Sequence, residues 1–484
     1  MKKNPWSKAS QKASARKRRG AASSEPAPDL LVLPAGSSGR MTAWAALQQF
    51  DETGKFVADS ISDADRDQPL SAQERGLAVD IASGTLRRRR TLDAILESLL
   101  TRPRSKVEAD LWRLLQIGAY QILFSRTPEH AAIDTTVELA RVAGRERWCG
   151  FANGILRSVQ RLLTENTTEQ PGPASVPLAD GQYRVLAQPV FADPLTDLAD
   201  YVGDAFSLPR VIARRWASRF TAAELLRMCF HAVAIPDTVL RVNRLKVSVQ
   251  RVQAALQDHG VEVAPGINDW SLNIGHVSRL QSLPGYADGW WSVQDEAAMS
   301  AAEALKPQPG ERILDLCAAP GGKTTHLAEI SGDQATIVAC DVSGQRLNRV
   351  HENVARLNLN SVQIHVIGDD GRDVPPGPYD AVLVDVPCSN TGVFSRRPEA
   401  RWRFREDDLD ELVQLQTRLL VTAFEQTRPG GRILYSTCSI EPEETTLLIK
   451  NLPRLIPGLT LITQHLTLPT TTTDGAFHAL LQKT

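Results

Sequence analysis

Two cysteines in this chain of 484 residues stand where thiol chemistry is possible. Cys388 lies in "VDVPCSNTG" and Cys438 in "YSTCS", 50 positions later, and each is followed by serine. A lone cysteine is more often a small buried hydrophobe than a nucleophile. Two of them, each at the end of an apolar β-type run, fit covalent catalysis by a thiolate with a second thiol beside it. Upstream, "DLCAAPGGKTTH" sets Cys317, Ala318, Ala319, Pro320, Gly321, Gly322 and Lys323 in a turn before a helix. The two glycines let the backbone pass close to a ligand at that helix N-terminus. Gly322-Lys323-Thr324 looks like the end of a phosphate-binding P-loop, but that motif needs another glycine where Cys317 stands, which disfavours an NTPase. Asp341, 19 positions beyond Gly322, is at the distance where doubly wound nucleoside sites hold ribose hydroxyls with a carboxylate. By spacing alone, the turn and the acid fit NAD, FAD or S-adenosylmethionine equally well.

The elements that must carry these residues alternate as in an open α/β sheet. "ERILDLCA" (311–318), "ATIVACDV" (335–342), "VQIHVIG", "YDAVLVDV" (379–386) and "GRILYSTC" (431–438) read as five strands, with a helix over about 344–357. A 3-2-1-4-5 order makes the fourth and fifth strands neighbours, about 5 Å apart, and brings both thiols to one carboxyl edge. The expected architecture is multidomain, with this doubly wound, Rossmann-like domain over 293–484. Residues 39–165 read as an all-helical bundle: Leu111, Leu114, Leu115, Gly118, Ala119, Ile122 and Leu123 form one face. Residues 166–190 read as a polar linker, and 191–292 as an α+β connecting module whose Arg241 and Asn243 suit either RNA or a structural hydrogen bond. The same ambiguity holds for Arg87–Arg90. Residues 1–38 read as a disordered basic arm.

The net charge of −1 excludes a uniformly basic nucleic-acid coat, yet residues 1–20 hold eight basic side chains and no acidic one, leaving −9 on the rest. Five arginines (Arg396, Arg397, Arg401, Arg403 and Arg405) around Trp402 suggest a phosphate clamp. No apolar run is long enough for a membrane span, and the basic start has no apolar segment behind it to make a secretory signal. The six cysteines are at least 23 positions apart, which argues against a zinc site or a disulfide framework and for a reduced, cytoplasmic protein.

Longer stretches carry a resemblance. "ERGLAVDIASGTLRRRRTLDAIL", "DLWRLLQIGAYQILF", "PEHAAIDTTVELA" and "GFANGILRSVQR" resemble the RNA-binding fold of the antitermination factor NusB. "DLCAAPGGKTTHLAE", "DVPCSNTGVFSRRPEARW" and "YSTCSIEPEE" resemble the RNA cytosine-5 methyltransferases of the NOL1/NOP2/Sun group. Together they resemble the bacterial 16S ribosomal RNA cytosine-5 methyltransferase B family over nearly everything from about 40 to 480.

That resemblance implies S-adenosyl-L-methionine as cofactor and 16S ribosomal RNA, or a small-subunit precursor, as partner. A cytoplasmic monomer without metal or membrane attachment is expected. It implies Cys438 as nucleophile, Cys388 as the thiol that assists adduct breakdown, and Asp385 at the cytosine edge and cofactor. Residues 317–323 would hold the cofactor's amino-acid end and Asp341 its ribose. In "GDDGR" either Asp369 or Asp370 would face the adenine, Asp370 being preferred because it precedes Gly-Arg. DNA cytosine-5 methyltransferases use the Pro-Cys cysteine, which here is Cys388; the Thr-Cys-Ser cysteine marks the RNA group. Lys323 suits neutralising a carboxylate, and His326 packing or capping. Val386, Asn390 and the short C-terminal end depart from the family's usual pattern. Competing readings are a transfer-RNA or multi-site cytosine-5 methyltransferase, or a non-enzymatic RNA-binding assembly or antitermination factor with a decayed sheet domain. Retention of both cysteines, Asp341, Asp385 and the turn argues against decay.

Overall fold

The computed structural model describes residues 38–178, 181–277, 279–368 and 373–484, and the chain divides into two compact units. The first holds the described residues between 38 and 234 together with Phe394–Arg403; the second holds those of 235–393 together with Phe404–Thr484. The basic arm lies outside the described residues but for Ser38, which caps the first helix by accepting the Met41 amide.

Helices α1 (Gly39–Thr53), α2 (Val57–Asp67), α3 (Ala72–Arg87), α4 (Arg89–Ser98), α5 (Ala109–Phe124), α6 (Glu129–Val142) and α7 (Glu146–Leu162) make the expected bundle. The face foreseen on α5 is buried in full, and Trp112, Ile117 and Tyr120 are buried too, so α5 is the central helix. The stretch expected as a linker is instead largely a three-stranded antiparallel sheet, β1 (Leu163–Thr168), β2 (Ser175–Pro177) and β3 (Tyr183–Leu186), in the order β1-β3-β2. Its polar residues face outward, while Tyr183 turns inward onto Phe206 and Phe230, with ring centroids 6.2 and 5.3 Å away. Those rings belong to the region of α8 (Leu198–Ala205), α9 (Arg210–Ala217) and α10 (Ala222–Val233), which join this unit rather than the connecting module. A capping box, Thr221 with Glu224, starts α10.

The second unit opens with β4 (Val239–Val242), α11 (Val249–Asp258), β5 (Ala264–Pro265), β6 (Ser271–Asn273) and β7 (Trp291–Val293). The strands pair antiparallel in the order β5-β6-β4-β7, and Val252 and Leu256 of α11 pack on Leu240, Leu272 and Trp291. Then follow α12 (Glu296–Leu305), β8 (Arg312–Asp315), α13 (Gly322–Ile330), β9 (Thr336–Asp341), α14 (Gly344–Leu357), β10 (Val362–Val366) and β11 (Tyr379–Asp385). After the short helix Pro398–Arg403, which lies in the first unit, come α15 (Asp407–Gln426), β12 (Thr427–Thr437), α16 (Thr446–Leu455), β13 (Leu459–Thr467) and β14 (Ala476–Lys483).

The large sheet runs β10-β9-β8-β11-β12-β14-β13, which is the expected order with an antiparallel pair added at one edge. Its inner parallel strands, β8, β9, β11 and β12, are apolar on both faces because helices cover both. Ile313, Ile337, Leu383 and Leu434 meet Leu305 and Leu327 on one side; Leu314, Val338, Val384 and Ile433 meet Leu420, Leu448 and Leu452 on the other. The order reverses between β8 and β11, which opens a crevice at their carboxyl ends.

Candidate active site

Parallel pairing sets Asp385 of β11 opposite Ser436 of β12, and the Val386 amide still donates to the Ser436 carbonyl at 2.9 Å. The chain therefore leaves both strands at one edge, Cys388 three residues past Asp385 and Cys438 two past Ser436. Their Sγ atoms are 3.1 Å apart. Asn390 ties the two together: its Nδ2 donates to the Cys388 carbonyl at 2.8 Å, and its Oδ1 lies 3.4 Å from Cys438 Sγ, which donates to it. Asn390 sits at φ +60°, a left-handed conformation that asparagine tolerates better than most residues. The residue noted as a departure from the family pattern is thus built into the thiol pair.

A buried carboxylate holds the Cys388 loop. Glu444 accepts from the Ser389 amide at 3.0 Å, from the Ser389 hydroxyl, and from Gln416 Nε2 at 2.9 Å. Gln416 Nε2 also donates to the Pro387 carbonyl, and Tyr435 donates to the Glu444 carbonyl. Burial, against those hydrogen bonds, pushes the Glu444 carboxyl above its ordinary range. Gly392 is required where it stands: an added Cβ would come within 2.3 Å of the Gly475 carbonyl oxygen, and the Gly475 amide donates to the Gly392 carbonyl. That contact seats the turn before β14 against the cysteine loop.

Lys323, at the start of α13, reaches Asp385 with Nζ 2.8 Å from Oδ2. Burial alone would lower the ammonium pKa, but the Asp385 charge and hydrogen bond, with Cys438 and Asp315 adding, hold it above its ordinary value. The hydrogen bond shared with Cys438 draws the Cys388 thiol below its ordinary range, against burial and the Glu444 charge. A thiol pair that yields one proton beside a cation is suited to nucleophilic attack.

The turn from Cys317 to Lys323 joins β8 to α13. Gly321 lies at φ +99°, where a Cβ would also crowd Val350 at 3.2 Å, so glycine is required. The Ala318 amide donates to the Cys340 carbonyl and the Ala319 amide to Asp341 Oδ2 at 3.2 Å, which locks the turn to the end of β9. Asp341 Oδ1 accepts from the Ser343 amide at 3.0 Å, and Arg346 bridges Asp341 to the Ala319 carbonyl. Burial pushes the Cys317 thiol far up, so it stays protonated and takes no part as a nucleophile. Asp315, absent from the residues singled out by sequence, ends β8 beneath the turn. Thr324 donates to its Oδ2 at 2.6 Å, while Oδ1 is buried with no hydrogen-bond partner among the described residues. An unpaired acidic oxygen, a close-approach glycine turn and the opening amides of a helix fit a ligand with a zwitterionic amino-acid end, the acid matching its ammonium and the amides its carboxylate. Asp369 and Asp370 lie outside the described residues.

The arginine clamp needs correcting. Arg401 is wholly buried in the first unit, where it donates to the carbonyls of Arg87 (3.2 Å), Ser207 (3.1 Å), Ala232 (2.5 Å) and Phe394 (3.0 Å). Its four Nη donors serve protein carbonyls, so it cannot reach a phosphate. Burial, with Arg87 and Arg88 alongside, lowers its pKa to about 9. Arg87 and Arg88 are likewise buried and donate to the carbonyls of Ser395 and Pro177. Arg396 is half-buried and Arg397 exposed. Arg241 is buried within the second unit, which resolves its ambiguity in favour of structure. His326 lines a cavity of about 340 Å³ with Arg244, Trp270 and Glu303, none of them a thiol or turn residue.

Sequence reading missed Glu444, Gln416 and Asp315, and marked Asn390 only as a departure from the family pattern. Glu444 and Asp315 stand inside motifs quoted for their neighbours, but no periodic spacing links either to its partners.

Known proteins resemble this chain over most of its length. A family described as 16S rRNA methyltransferase RsmB/F matches residues 302–479, and the NusB family matches residues 37–161. A Synechocystis protein named probable ribosomal RNA small subunit methyltransferase B is 33% identical over 418 residues, 85% of this chain and 88% of its own. Ribosomal RNA small subunit methyltransferase B of Escherichia coli is 33% identical over 419 residues, 85% of this chain and 89% of its own. The crystal structure of PH0851 shares the fold with a TM-score of 0.72 at 24% identity, over 94% of this chain and 100% of that one. A methyltransferase homologue from Pyrococcus horikoshii gives a TM-score of 0.52 at 26% identity, over 58% of this chain and 98% of that one. With identity sustained over most of both chains, and a NusB region ahead of the methyltransferase domain, this chain belongs to the RsmB/F family of 16S rRNA methyltransferases.

Proposed function

We propose that this protein methylates C5 of a cytosine in 16S ribosomal RNA, with Cys438 as nucleophile and S-adenosylmethionine as methyl donor. The observation that carries the reading is the pair of thiols 3.1 Å apart at the sheet edge where Lys323 and Asp385 meet. C5 of cytosine is a poor nucleophile until a thiolate adds at C6. The Cys438–C6 bond then forms as the C5–C6 double bond opens, and electron density reaches C5. When bound, S-adenosylmethionine supplies an electrophilic methyl group on a sulfonium.

The chain's own residues do the rest. Proton exchange across the thiol pair leaves the charge on Cys438, where the Lys323 cation favours it. Asp385, held by Lys323, faces the N3/N4 side of the base as charge develops there. Cys388 takes part in removing the C5 proton, after which the Cys438–C6 bond breaks and the aromatic ring returns. Residues 317–323 with Asp315 hold the amino-acid end of the cofactor, Asp341 its ribose, and Asp370 or Asp369 its adenine side. Arg396 and Arg397 contact RNA phosphates. The proposal includes action as a monomer in the cytoplasm; among the described residues no helix is long and apolar enough to cross a membrane.

The test is bisulfite sequencing of 16S rRNA together with covalent trapping on denaturing gels. Wild type protects one cytosine from conversion. Cys438→Ala abolishes both protection and the covalent complex, whereas Cys388→Ala accumulates RNA bound to protein. Full turnover by Cys438→Ala overturns the nucleophile assignment, and no protected cytosine with wild type overturns the function.

A further inference from the structure

Arg241 belongs to β4 of the small sheet, yet its guanidinium lies along α13 of the large one. It is fully buried, and its side-chain hydrogen bonds run to that helix and to Gln294, just past β7. Nε and Nη2 grip Glu329, in the last turn of α13, at 2.9 and 2.8 Å. Nη2 also donates to Thr325 Oγ1 at 3.0 Å, and Nη1 donates to the Gly322 carbonyl at 2.8 Å and to the Gln294 side chain. Thr325 Oγ1 in turn donates to the Gly321 carbonyl at 2.9 Å. One planar fork therefore spans the helix from its first residue to its last turn, and reaches the two glycines of the turn directly and through a hydroxyl.

A buried ion pair is weak evidence for a stability role, because well-packed apolar residues serve stability as well. What an apolar replacement lacks is direction. A guanidinium offers five donors in a fixed plane, so it sets where its acceptors lie. Here the acceptors are the carbonyls of Gly321 (through Thr325) and Gly322, in the turn that leads directly to Lys323.

We propose that Arg241 is a positioning residue for the methyl-donor site: a side chain of the connecting module that fixes the pitch of α13, and hence the Gly321–Lys323 turn. The inference rests on the reading of that turn as the S-adenosylmethionine cradle. It acts through α13 and touches neither base nor thiol.

Two substitutions divide the fork. Arg241→Lys keeps a cation for Glu329 and gives up simultaneous contact with Gly322 and Thr325. Glu329→Gln weakens the ion pair and leaves the contacts with the turn. Positioning predicts that Arg241→Lys raises the dissociation constant for S-adenosylhomocysteine about tenfold, the equivalent of one or two hydrogen bonds, in calorimetric titration of the full chain. The KM for RNA and the melting temperature change little. Glu329→Gln lowers the melting temperature more than Arg241→Lys does and leaves the dissociation constant within about twofold of wild type. Thr325→Val, which removes the hydroxyl's links to the Gly321 and Gly322 carbonyls and to Arg241, weakens binding with the fold intact. Losses of affinity that follow melting temperature across all three variants overturn the proposal, as does unchanged binding by both Arg241→Lys and Thr325→Val. Failure of wild type to bind S-adenosylhomocysteine would instead defeat the reading of the turn itself.

Discussion

Asp315 turns a matter of burial into one of cofactor affinity. Desolvation pushes its carboxyl up to about 7, with Asp385 and Asp341 adding repulsion while Thr324 and Lys323 oppose it. A carboxyl raised this way is neutral below that pH and charged above it, so the unpaired oxygen is available as an anion to the ammonium of an amino-acid end only on the alkaline side. Calorimetry should therefore show S-adenosylmethionine binding weakening by about tenfold between pH 8 and pH 6, as the ionised fraction falls. Asp315→Asn should bind weakly and without that slope; a flat wild-type profile would count against the assignment. Sequence pointed to the glycine turn and to both cysteines because residue type and chain position carry the information there. It was silent on Asp315 and Glu444, because a carboxylate's role depends on what surrounds it. Glu444 matters through Ser389 and Gln416, which lie 55 and 28 positions away in the chain.

The strands that place the thiols were legible because parallel strands buried on both faces leave unbroken apolar runs, as in "YDAVLVDV". The sheet β1-β3-β2 was not, since its outward residues are polar and its inward ones too few to set a period. The short helix Pro398–Arg403 misled for a related reason. Its arginines look like a phosphate clamp by composition, but Arg401 is enclosed by carbonyls from α3, from α10 and from Ser207, two residues past the end of α8. Arg401→Ala should therefore destabilise the first unit by about 3 kcal/mol or more, since several buried carbonyls lose their donor at once. The salt dependence of RNA binding by the folded variant should match wild type. Arg397→Ala should do the reverse, leaving the melting temperature in place and reducing the logarithmic salt slope by about one. Thermal unfolding and RNA titrations at several salt concentrations separate the two, and an Arg401→Ala protein of normal stability with a shallower slope would restore the clamp.

For the molecule as a whole, the charge of −1 averages over unlike parts. Several arginines that sequence would assign to a basic surface serve the protein's own interior: Arg87, Arg88 and Arg401 on carbonyls, Arg90 on Asp204, and Arg241 on Glu329. The cations left for long-range attraction to RNA are correspondingly fewer, and the eight basic residues within 1–20 become the densest group free of acidic neighbours in the chain. Phosphate attraction of this kind needs no fold and carries no sequence preference, while the proposed base recognition and bond making belong to the sheet edge at Cys438. Deleting residues 1–37 should therefore weaken RNA binding most at low salt, and the affinities of full-length and shortened protein should converge as salt rises. At saturating RNA the methylation rate should be unchanged, because Cys438, Lys323 and the cofactor turn all lie in the second unit. A shortened protein with wild-type affinity at every salt concentration would show that the arm adds nothing to RNA capture. One that binds normally but methylates slowly would place the arm's effect at the chemical step instead.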